Sequence, residues 1–449
     1  MKTSSIILSA LTALALSSCG IYGKYARPAL DLVLGDEDPV KTVPWQERFR
    51  DPCLQALIDT ALLHCTDLGV AMLKIDEAEA ALYRSAMAFL PSLVLSPQGT
   101  LASFDGSAAT KTYTLPVSAS WNVDLFGNLL SVKRSAQMQL IATKDYQTVV
   151  KTNIISGIAN LYYTLLMLDR QVQIVTDMEQ LTKETWEKMQ FMHENRVGYR
   201  SIAVQSAEAA YYQVQAQKVD LLRQVREMEN SLSLLIGQQG QAIQRGSFEG
   251  QNLPTDISVG VPVAMLNNRA DVHAAEMSLA QCFYDVETAR SRFYPNITVT
   301  GTAAFTNSAG SAVINPGKWL LSAVGSLVQP IFQHGQIVAG LKVAKMQYEQ
   351  AYNTWQNAVL KAGNEVSNAL VSYNSYADKA ELDGKRVAVM KQNVEDTKKL
   401  MESSSNTTYL EVISAQSNLL NAEISEVQDQ FYKMQSVVNL YQALGGGAK

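Results

Sequence analysis

The stretch Thr112–Gly127, TYTLPVSASWNVDLFG, decides the fold. From Tyr113 every second residue is apolar (Tyr113, Leu115, Val117, Ala119, Trp121, Val123, Leu125), and Thr, Ser, Asn and Asp fill most of the places between. That is the period of a strand with two unlike faces. The residues that follow read as helix. Positions 129–197 hold no proline and one glycine, Gly157, so a continuous helix there would reach on the order of 100 Å at 1.5 Å per residue. A chain of long helices that also carries so regular a strand must have a use for it.

Working outward, the pattern recurs. Phe89-Leu90-Pro91-Ser92 is echoed by Phe293-Tyr294-Pro295-Asn296, an offset of 204 (293 − 89). Asp124-Leu125-Phe126 is echoed by Pro330-Ile331-Phe332 at 206 (330 − 124), and Leu235-Ile236-Gly237 by Ala443-Leu444-Gly445 at 208 (443 − 235). Three landmarks in one order imply a tandem duplication of about two hundred residues. Each repeat predicts a helix, a strand hairpin, a very long helix, a turn and a returning helix. In the first repeat, Pro91 ends helix over 51–88, within which Asp67 is placed to cap a fresh start. Strands over 92–104 and 111–125 follow, joined through Phe104-Asp105-Gly106-Ser107. In the second repeat, Ile297, Val299, Gly301, Ala303 and Phe305 alternate with threonines, a looser strand runs over 319–328, and the long helix spans 337–402.

Helices of that length need a partner along their whole course. The returning helix of the first repeat supplies Ala207, Tyr211, Val214, Lys218, Leu221, Val225, Met228, Leu232 and Leu235 at alternating steps of four and three, a heptad seam broken by Lys218. Ile413, Ser417, Leu420, Ile424, Val427, Phe431, Met434, Val438 and Tyr441 form the second seam, with Leu420 expected to take the phase of Val214.

The strands carry Thr and Ser on the polar face rather than Lys and Glu, and Tyr113, Trp121 and Trp319 stand near strand ends. This suits a membrane barrel with a wet interior, with Tyr113, Leu115, Val117, Trp121, Ile297, Val299 and Phe305 expected to face lipid. Four strands cannot close a barrel, and open edges would leave amide and carbonyl groups unpaired in hydrocarbon at several kcal/mol each. Several chains must therefore share one barrel; three copies give about twelve strands, a usual size. The expected fold is thus mainly α with a membrane β-barrel: long antiparallel helical hairpins forming an α-barrel, and four strands per chain contributing to a shared 12-stranded trimeric barrel.

At the N-terminus, Lys2 precedes an apolar run, Ile6–Leu16, of signal-peptide length. Leu16-Ser17-Ser18-Cys19 then resembles a bacterial lipobox, which would leave Cys19 as the lipidated first residue; Gly20 lacks the Asp that retains lipoproteins at the inner membrane. The expected organisation is a signal peptide over 1–18, an extended segment over 19–50, the first repeat over 51–237, a linker over 238–266, the second repeat over 267–445 and a tail over 446–449.

Trp45-Gln46-Glu47-Arg48-Phe49-Arg50-Asp51-Pro52 resembles the opening of the outer membrane factor family, TolC-like and of the NodT lipoprotein type. Asn268-Arg269-Ala270-Asp271-Val272-His273-Ala274-Ala275-Glu276 is similar to its R-P-D-V/I-x-x-A-E, and Ala289-Arg290 and Phe293-Tyr294-Pro295 follow at the usual distance. Pro330-Ile331-Phe332-Gln333-His334-Gly335 is similar to its P-I-F-D-x-G, and Tyr409–Gln416 to its Y-L-x-V-L-D-A-Q at a hairpin tip. The chain departs from those patterns at Ala270, Gln333, Ser405, Ser414 and Ser417. The resemblance implies a homotrimer in the outer membrane of a Gram-negative bacterium. Its helical tunnel would stand in the periplasm, as the exit duct of a tripartite efflux system with a periplasmic adaptor and an inner-membrane pump. It also places adaptor contacts at the helix tips (Gly198, Ser201, Ser405, Asn406, Thr407, Tyr409) and the tunnel aperture at Leu410, Glu411, Ile413, Ser414 and Ser417.

Other classes find little support. With 37 Lys+Arg against 42 Asp+Glu the formal charge is −5, and no basic cluster offers a nucleic-acid footprint. No G-x-S-x-G, H-E-x-x-H, P-loop or G-x-G-x-x-G occurs, so no enzyme, cofactor or metal site is expected beyond the lipid on Cys19. His64, His193, His273 and His334 are far apart in sequence, and Cys53, Cys65 and Cys282 show no zinc spacing. Arg269, Asp271 and Glu276 read as one ion-pair set at a helix start. A protein-secretion duct of type I uses the same architecture, and a structural coiled-coil lipoprotein would explain the seams while leaving the strands without a purpose.

Overall fold

The computed structural model describes residues 23–29, 44–103, 105–195, 201–251, 269–306, 318–403 and 409–446. Their elements, in chain order, are α1 (Trp45–Arg48), α2 (Pro52–His64), α3 (Thr66–Met87), β1 (Ser92–Leu95), β2 (Gln98–Ala102), β3 (Thr110–Val123), α4 (Asn128–Asn195) and α5 (Ser201–Leu235). The second repeat contributes α6 (Ala270–Ser291), β4 (Asn296–Thr306), β5 (Lys318–Val328), α7 (Gln336–Ser403) and α8 (Tyr409–Ala443). The long helices α4 and α7 are each 68 residues and the returning helices α5 and α8 each 35. Both pairs are therefore related by one offset of 208 (336 − 128 and 409 − 201).

Among the described residues two compact units emerge, and each draws on both repeats: those within 1–31, 73–145 and 273–358 in one, those within 32–72, 146–272 and 359–449 in the other. The first unit holds one antiparallel sheet in the order β1/β2, β3, β4, β5. The strand expected over 92–104 is broken. Ser92–Leu95 and Gln98–Ala102 pair with β3 separately: between them Ser96 N–H bonds Pro116 O at 3.1 Å, but Pro116 has no N–H to return the bond, and the ladder lapses there. A turn through Gly127, at φ +68°, feeds β3 into α4, whose start is capped by Asp124 accepting from the N–H groups of Leu129 and Leu130 at 3.1 and 2.8 Å.

In the second unit, α2 begins at Pro52 with Asp51 as its cap, accepting from Cys53 N–H at 2.8 Å. Helix is interrupted at Cys65, so the fresh start falls at Thr66 and Asp67 sits in the first turn of α3 rather than at its cap. Trp45, Phe49, Leu54 and Ile58 join Ile155, Ile158, Tyr162, Leu165 and Leu166 of α4 in the main core. Both returning helices end in the same way: Gln238 N–H bonds Ser233 O at 2.9 Å and Gly446 N–H bonds Tyr441 O at 3.0 Å, with Gly237 and Gly445 at φ +71° and +91°. This is a Schellman ending, which needs a left-handed residue and favours glycine.

The inter-repeat segment is more than a joint where it is described. Ile243 and Phe248 are buried, and Arg245 bonds Asp169 at 2.9 Å and Glu229 at 2.7 Å. Gly246 N–H bonds the Tyr162 hydroxyl, which in turn donates to Asp51 at 2.6 Å, and Gln251 donates to the same carboxylate at 2.7 Å. Burial opposes the charge on Asp51, but these donors and the Cys53 N–H outweigh it and hold its carboxyl below the usual range.

Candidate functional site: a two-faced sheet and two helical hairpins

Cross-strand partners share a face, so the register sorts the sheet. Leu115 stands opposite Phe305, Trp121 opposite Val299 and Val123 opposite Ile297. With Tyr113 and Val117 at the same parity of β3, all seven residues expected to face lipid lie on one face. The same parity adds five that the sequence did not single out: Leu93 and Leu95 of β1, Leu101 of β2, and Leu321 and Leu327 of β5. Apolar neighbours at Val94, Ala102, Leu320 and Val328 blur the period-two signal there. On β3 and β4 the opposite face is a hydroxyl ladder, while β1 and β5 add Val94, Val324 and Val328 to it. Thr298 donates to Asn122 at 2.8 Å, Ser118 and Thr302 meet at 3.4 Å, and Ser120 stands opposite Thr300.

The two ends of the repeat are fastened alike. The Trp121 indole donates to Phe89 O at 3.0 Å, and the Gln329 amide donates to Phe293 O at 2.8 Å, so each of the two equivalent phenylalanines that follow a helix is tied to a strand. Within the chain β1/β2 and β5 are the outer strands, each paired on one side.

In the hairpins the common offset of 208 pairs buried positions: Ala207 with Ala415, Val214 with Ala422, Leu221 with Asp429, Leu232 with Leu440. Val214 therefore answers to Ala422 and not to Leu420. Ser417, expected on the second seam, is exposed; Ala415, Gln416 and Leu419 take the buried places. The Lys218 that interrupts the first seam pairs with Glu179 of α4 at 2.8 Å, and Gln215 bonds the same carboxylate at 3.0 Å. Hydrogen bonds from Lys218 and Gln215 hold the Glu179 carboxyl below its usual range.

Near the hairpin ends, Met189, Ala207, Met401 and Val412 form a small core, packed by Trp186, Val204, Tyr409 and Ile413. Tyr409, expected at the adaptor-contact tip, and Ile413, expected at the aperture, are thus partly buried within the chain. Ser201, Leu410, Glu411, Ser414 and Ser417 are exposed, Leu410 at 58%. Leu410, Glu411 and Ser414 share a groove of about 620 Å³ with Thr397, Leu400 and Asn418. Gly198, Ser405, Asn406, Thr407 and Cys19 lie outside the described residues.

The expected triad of charges divides. Arg269 grips Asp271 through two bonds of 2.9 and 2.7 Å, and reaches Glu365 and the carbonyl of Ala443 at 2.8 Å each. Burial raises the Asp271 carboxyl, but the Arg269 guanidinium prevails and holds it below the usual range. Glu276 is bound instead by Arg27, two bonds from one guanidinium. His273 meets Asp145 at 2.6 Å, and among the described residues no group of His, Cys, Asp and Glu has metal-holding geometry. Cys53, Cys65 and Cys282 are free thiols.

A family model described as outer membrane efflux protein matches residues 57–238 and 261–446. The cation efflux system protein CusC of Escherichia coli is 24% identical over 457 residues, covering 98% of this chain and 99% of that protein. The pyoverdine export outer membrane protein OpmQ of Pseudomonas aeruginosa is 28% identical over 440 residues, covering 93% and 90%. A crystal structure of CusC superposes with a TM-score of 0.88 at 22% identity, over 95% of this chain and 100% of that one.

Proposed function

The chain belongs to the outer membrane efflux protein family, and from that membership we propose that it is the trimeric exit duct of a tripartite efflux system, completed by a periplasmic adaptor and an inner-membrane pump. It is an outer-membrane efflux channel with its helical tunnel in the periplasm. The observation that carries the trimer is the sheet: four strand positions, one apolar face, one hydroxyl face and two outer strands paired on one side only. Such a sheet is stable in lipid when its edges meet those of other copies, and about twelve strands give a barrel of ordinary size. The lipid on Cys19 is a second anchor beside the barrel.

The cargo is a small molecule handed on by the pump rather than selected by the duct. Named relatives export a cation in one case and pyoverdine in another, and the hydroxyl face offers general hydration instead of a shaped pocket. The hairpin tips meet the adaptor, and Leu410, Glu411 and Ser414 line the aperture.

Mass photometry of detergent-extracted protein, followed by conductance in planar bilayers, tests the reading. A three-chain particle that conducts is expected. A stable single-chain particle, or a trimer that never conducts, overturns it. Intact mass of the membrane-purified chain should show loss of residues 1–18 and added acyl mass, and Cys19→Ala should remove the acyl mass.

A further inference from the structure

The two hairpins have the same length, and their returning helices α5 and α8 bury equivalent positions, yet at one level their chemistry is exchanged. In the first repeat Val175 of α4 and Leu221 of α5 are buried members of the main core. Their equivalents at offset 208 are Asp383 of α7 and Asp429 of α8. Met178 likewise becomes Arg386, and Gln171 becomes Lys379. The Glu179–Lys218 pair becomes Val387 and Glu426, so that Glu426 loses the direct partner its counterpart has.

Asp429 is 3% exposed. Its Oδ1 accepts from Lys379 Nζ at 2.7 Å, its Oδ2 is buried without a donor, and the Asp383 carboxyl lies within hydrogen-bond reach of Asp429. The other oxygen donor contact of Asp383 is long, 3.5 Å to the Arg386 guanidinium. Two carboxylate oxygens are both acceptors and cannot bond each other; they hold together when a proton lies between them. Burial and the Asp429 carboxylate push the Asp383 carboxyl above its ordinary range, with Arg386 opposing. The charges facing this level are Lys379, Arg386 and Lys391 from α7, Glu423 and Glu426 from α8, and Arg170 from α4.

We propose that the Asp383 carboxyl keeps a proton and donates it to the donor-less Oδ2 of Asp429, and that this proton is a pH-sensitive clasp between α7 and α8. The clasp lies twenty residues before the end of α7 and twenty after the start of α8 (403 − 383 and 429 − 409). That is about 30 Å of helix from the tip. The sign follows from linkage. A carboxyl whose folded pKa is raised contributes stability that is full at pH below its unfolded value and is lost as pH rises through the folded value. Acid therefore fastens the second hairpin, and alkali releases it by setting two carboxylates against each other. The first hairpin, with Val175 and Leu221 at this level, has no such dependence. That the released hairpin widens the aperture rests on the duct reading above.

Hydrogen exchange of the full-length trimer in detergent, corrected for intrinsic rates, tests the clasp directly. Protection over 376–390 and 422–436 should fall as pH rises, by up to about tenfold per pH unit, the slope one proton gives. Residues 168–182 and 214–228, where Lys218 holds the Glu179 carboxyl low, should not lose protection as pH rises. Asp383→Asn, whose amide can donate where the proton did, should stay protected at every pH. The double variant Asp383→Val with Asp429→Leu, which copies the first repeat, should also be flat. Protection that is independent of pH in the parent, or a slope that survives Asp383→Asn, overturns the proposal. So does protection restored at high pH by Na⁺ or K⁺ against choline at equal ionic strength, because the pair would then hold a metal cation. Conductance is read separately: parent current that rises with pH while Asp383→Asn stays flat is expected. Absence of current at every pH, with the exchange result intact, would count against the duct and leave the clasp standing.

Discussion

Gln416 of α8 donates its side-chain amide to the Thr185 hydroxyl of α4 at 2.7 Å, a buried bond that ties the second repeat to the first. At offset 208 the same relationship maps onto Asn393 and Glu208 (185 + 208 and 416 − 208), and Asn393 lies exposed on the chain's surface. A closed ring of repeats repeats its own internal contact between neighbours, so Asn393 of one protomer should meet Glu208 of the next. Asn393→Cys with Glu208→Cys should give a covalent three-chain band on oxidation, while either change alone should not. Single chains from the double variant in assembled trimers would show that the neighbouring contact does not copy the internal one.

The two faces of the sheet should answer a charge differently. Val299→Arg, on the apolar face beside Trp121, should cost roughly 2–4 kcal/mol of barrel stability if it lies near mid-bilayer, whereas Thr300→Arg on the hydroxyl face should cost about 1 kcal/mol or less. Reversible unfolding from vesicles measures both. Equal penalties would contradict the assignment of faces.

Arg245→Met should destabilise the helical unit by about 3 kcal/mol, the lower end for breaking a buried pair, because Arg226 still bonds Glu229 at 3.0 Å. Thermal unfolding in detergent reads the loss. It should also change the acid limb. Burial raises the Glu229 carboxyl, but Arg245, Arg226 and the Ile243 N–H outweigh it and hold it low. A depressed carboxyl contributes stability above its unfolded pKa and loses it as pH falls through the folded value. Arg245→Met should therefore unfold earlier at neutral pH and lose less on acidification.

Closure at the aperture should depend little on salt. Ser414 and Ser417 are exposed hydroxyls one turn apart, and Leu410 lines a groove with Ser414, so these three positions, unlike Glu411 in the same groove, supply no charge for salt to screen. Closed-state conductance, divided by bulk conductivity, should be flat between low and high salt. Ser414→Asp with Ser417→Arg should introduce a slope. A steep slope in the parent would place a charged lock at other residues.

What could be read from the sequence was whatever the hydrophobic pattern expresses. Tyr113 to Val123 alternates without a lapse, so the strand and the parity that puts its apolar residues on one face were legible. The landmarks Leu235-Ile236-Gly237 and Ala443-Leu444-Gly445 gave the repeat, because a left-handed glycine marks the same helix ending twice. The second seam from Leu420 to Tyr441 does lie in or against the core, but its match to the first repeat was misplaced by two residues, since Gln416 and Asp429 occupy core positions and an apolar count passes over them. The packing of residues 238–251 was invisible for another reason. Arg245 finds Asp169 seventy-six residues away, and no local pattern announces a partner at that distance.

The break at Pro97 has a consequence for the chain before it is assembled. A strand edge with free amides is a template for any other strand, and a duct subunit must cross the periplasm with two such edges exposed. One of them is split into pieces of four and five residues, β1 and β2, while β5 runs unbroken for eleven. Two copies meeting broken edge to broken edge gain short ladders interrupted by a residue that cannot donate. Growth of a disordered fibre through that edge is disfavoured, and the pairing that remains rewarding joins β5 of one copy to the split edge of another in a single direction. Head-to-tail pairing closes into a ring where the rotation between copies allows it, so Pro97, which leaves the outer edge without a donor, also steers the subunits away from aggregation.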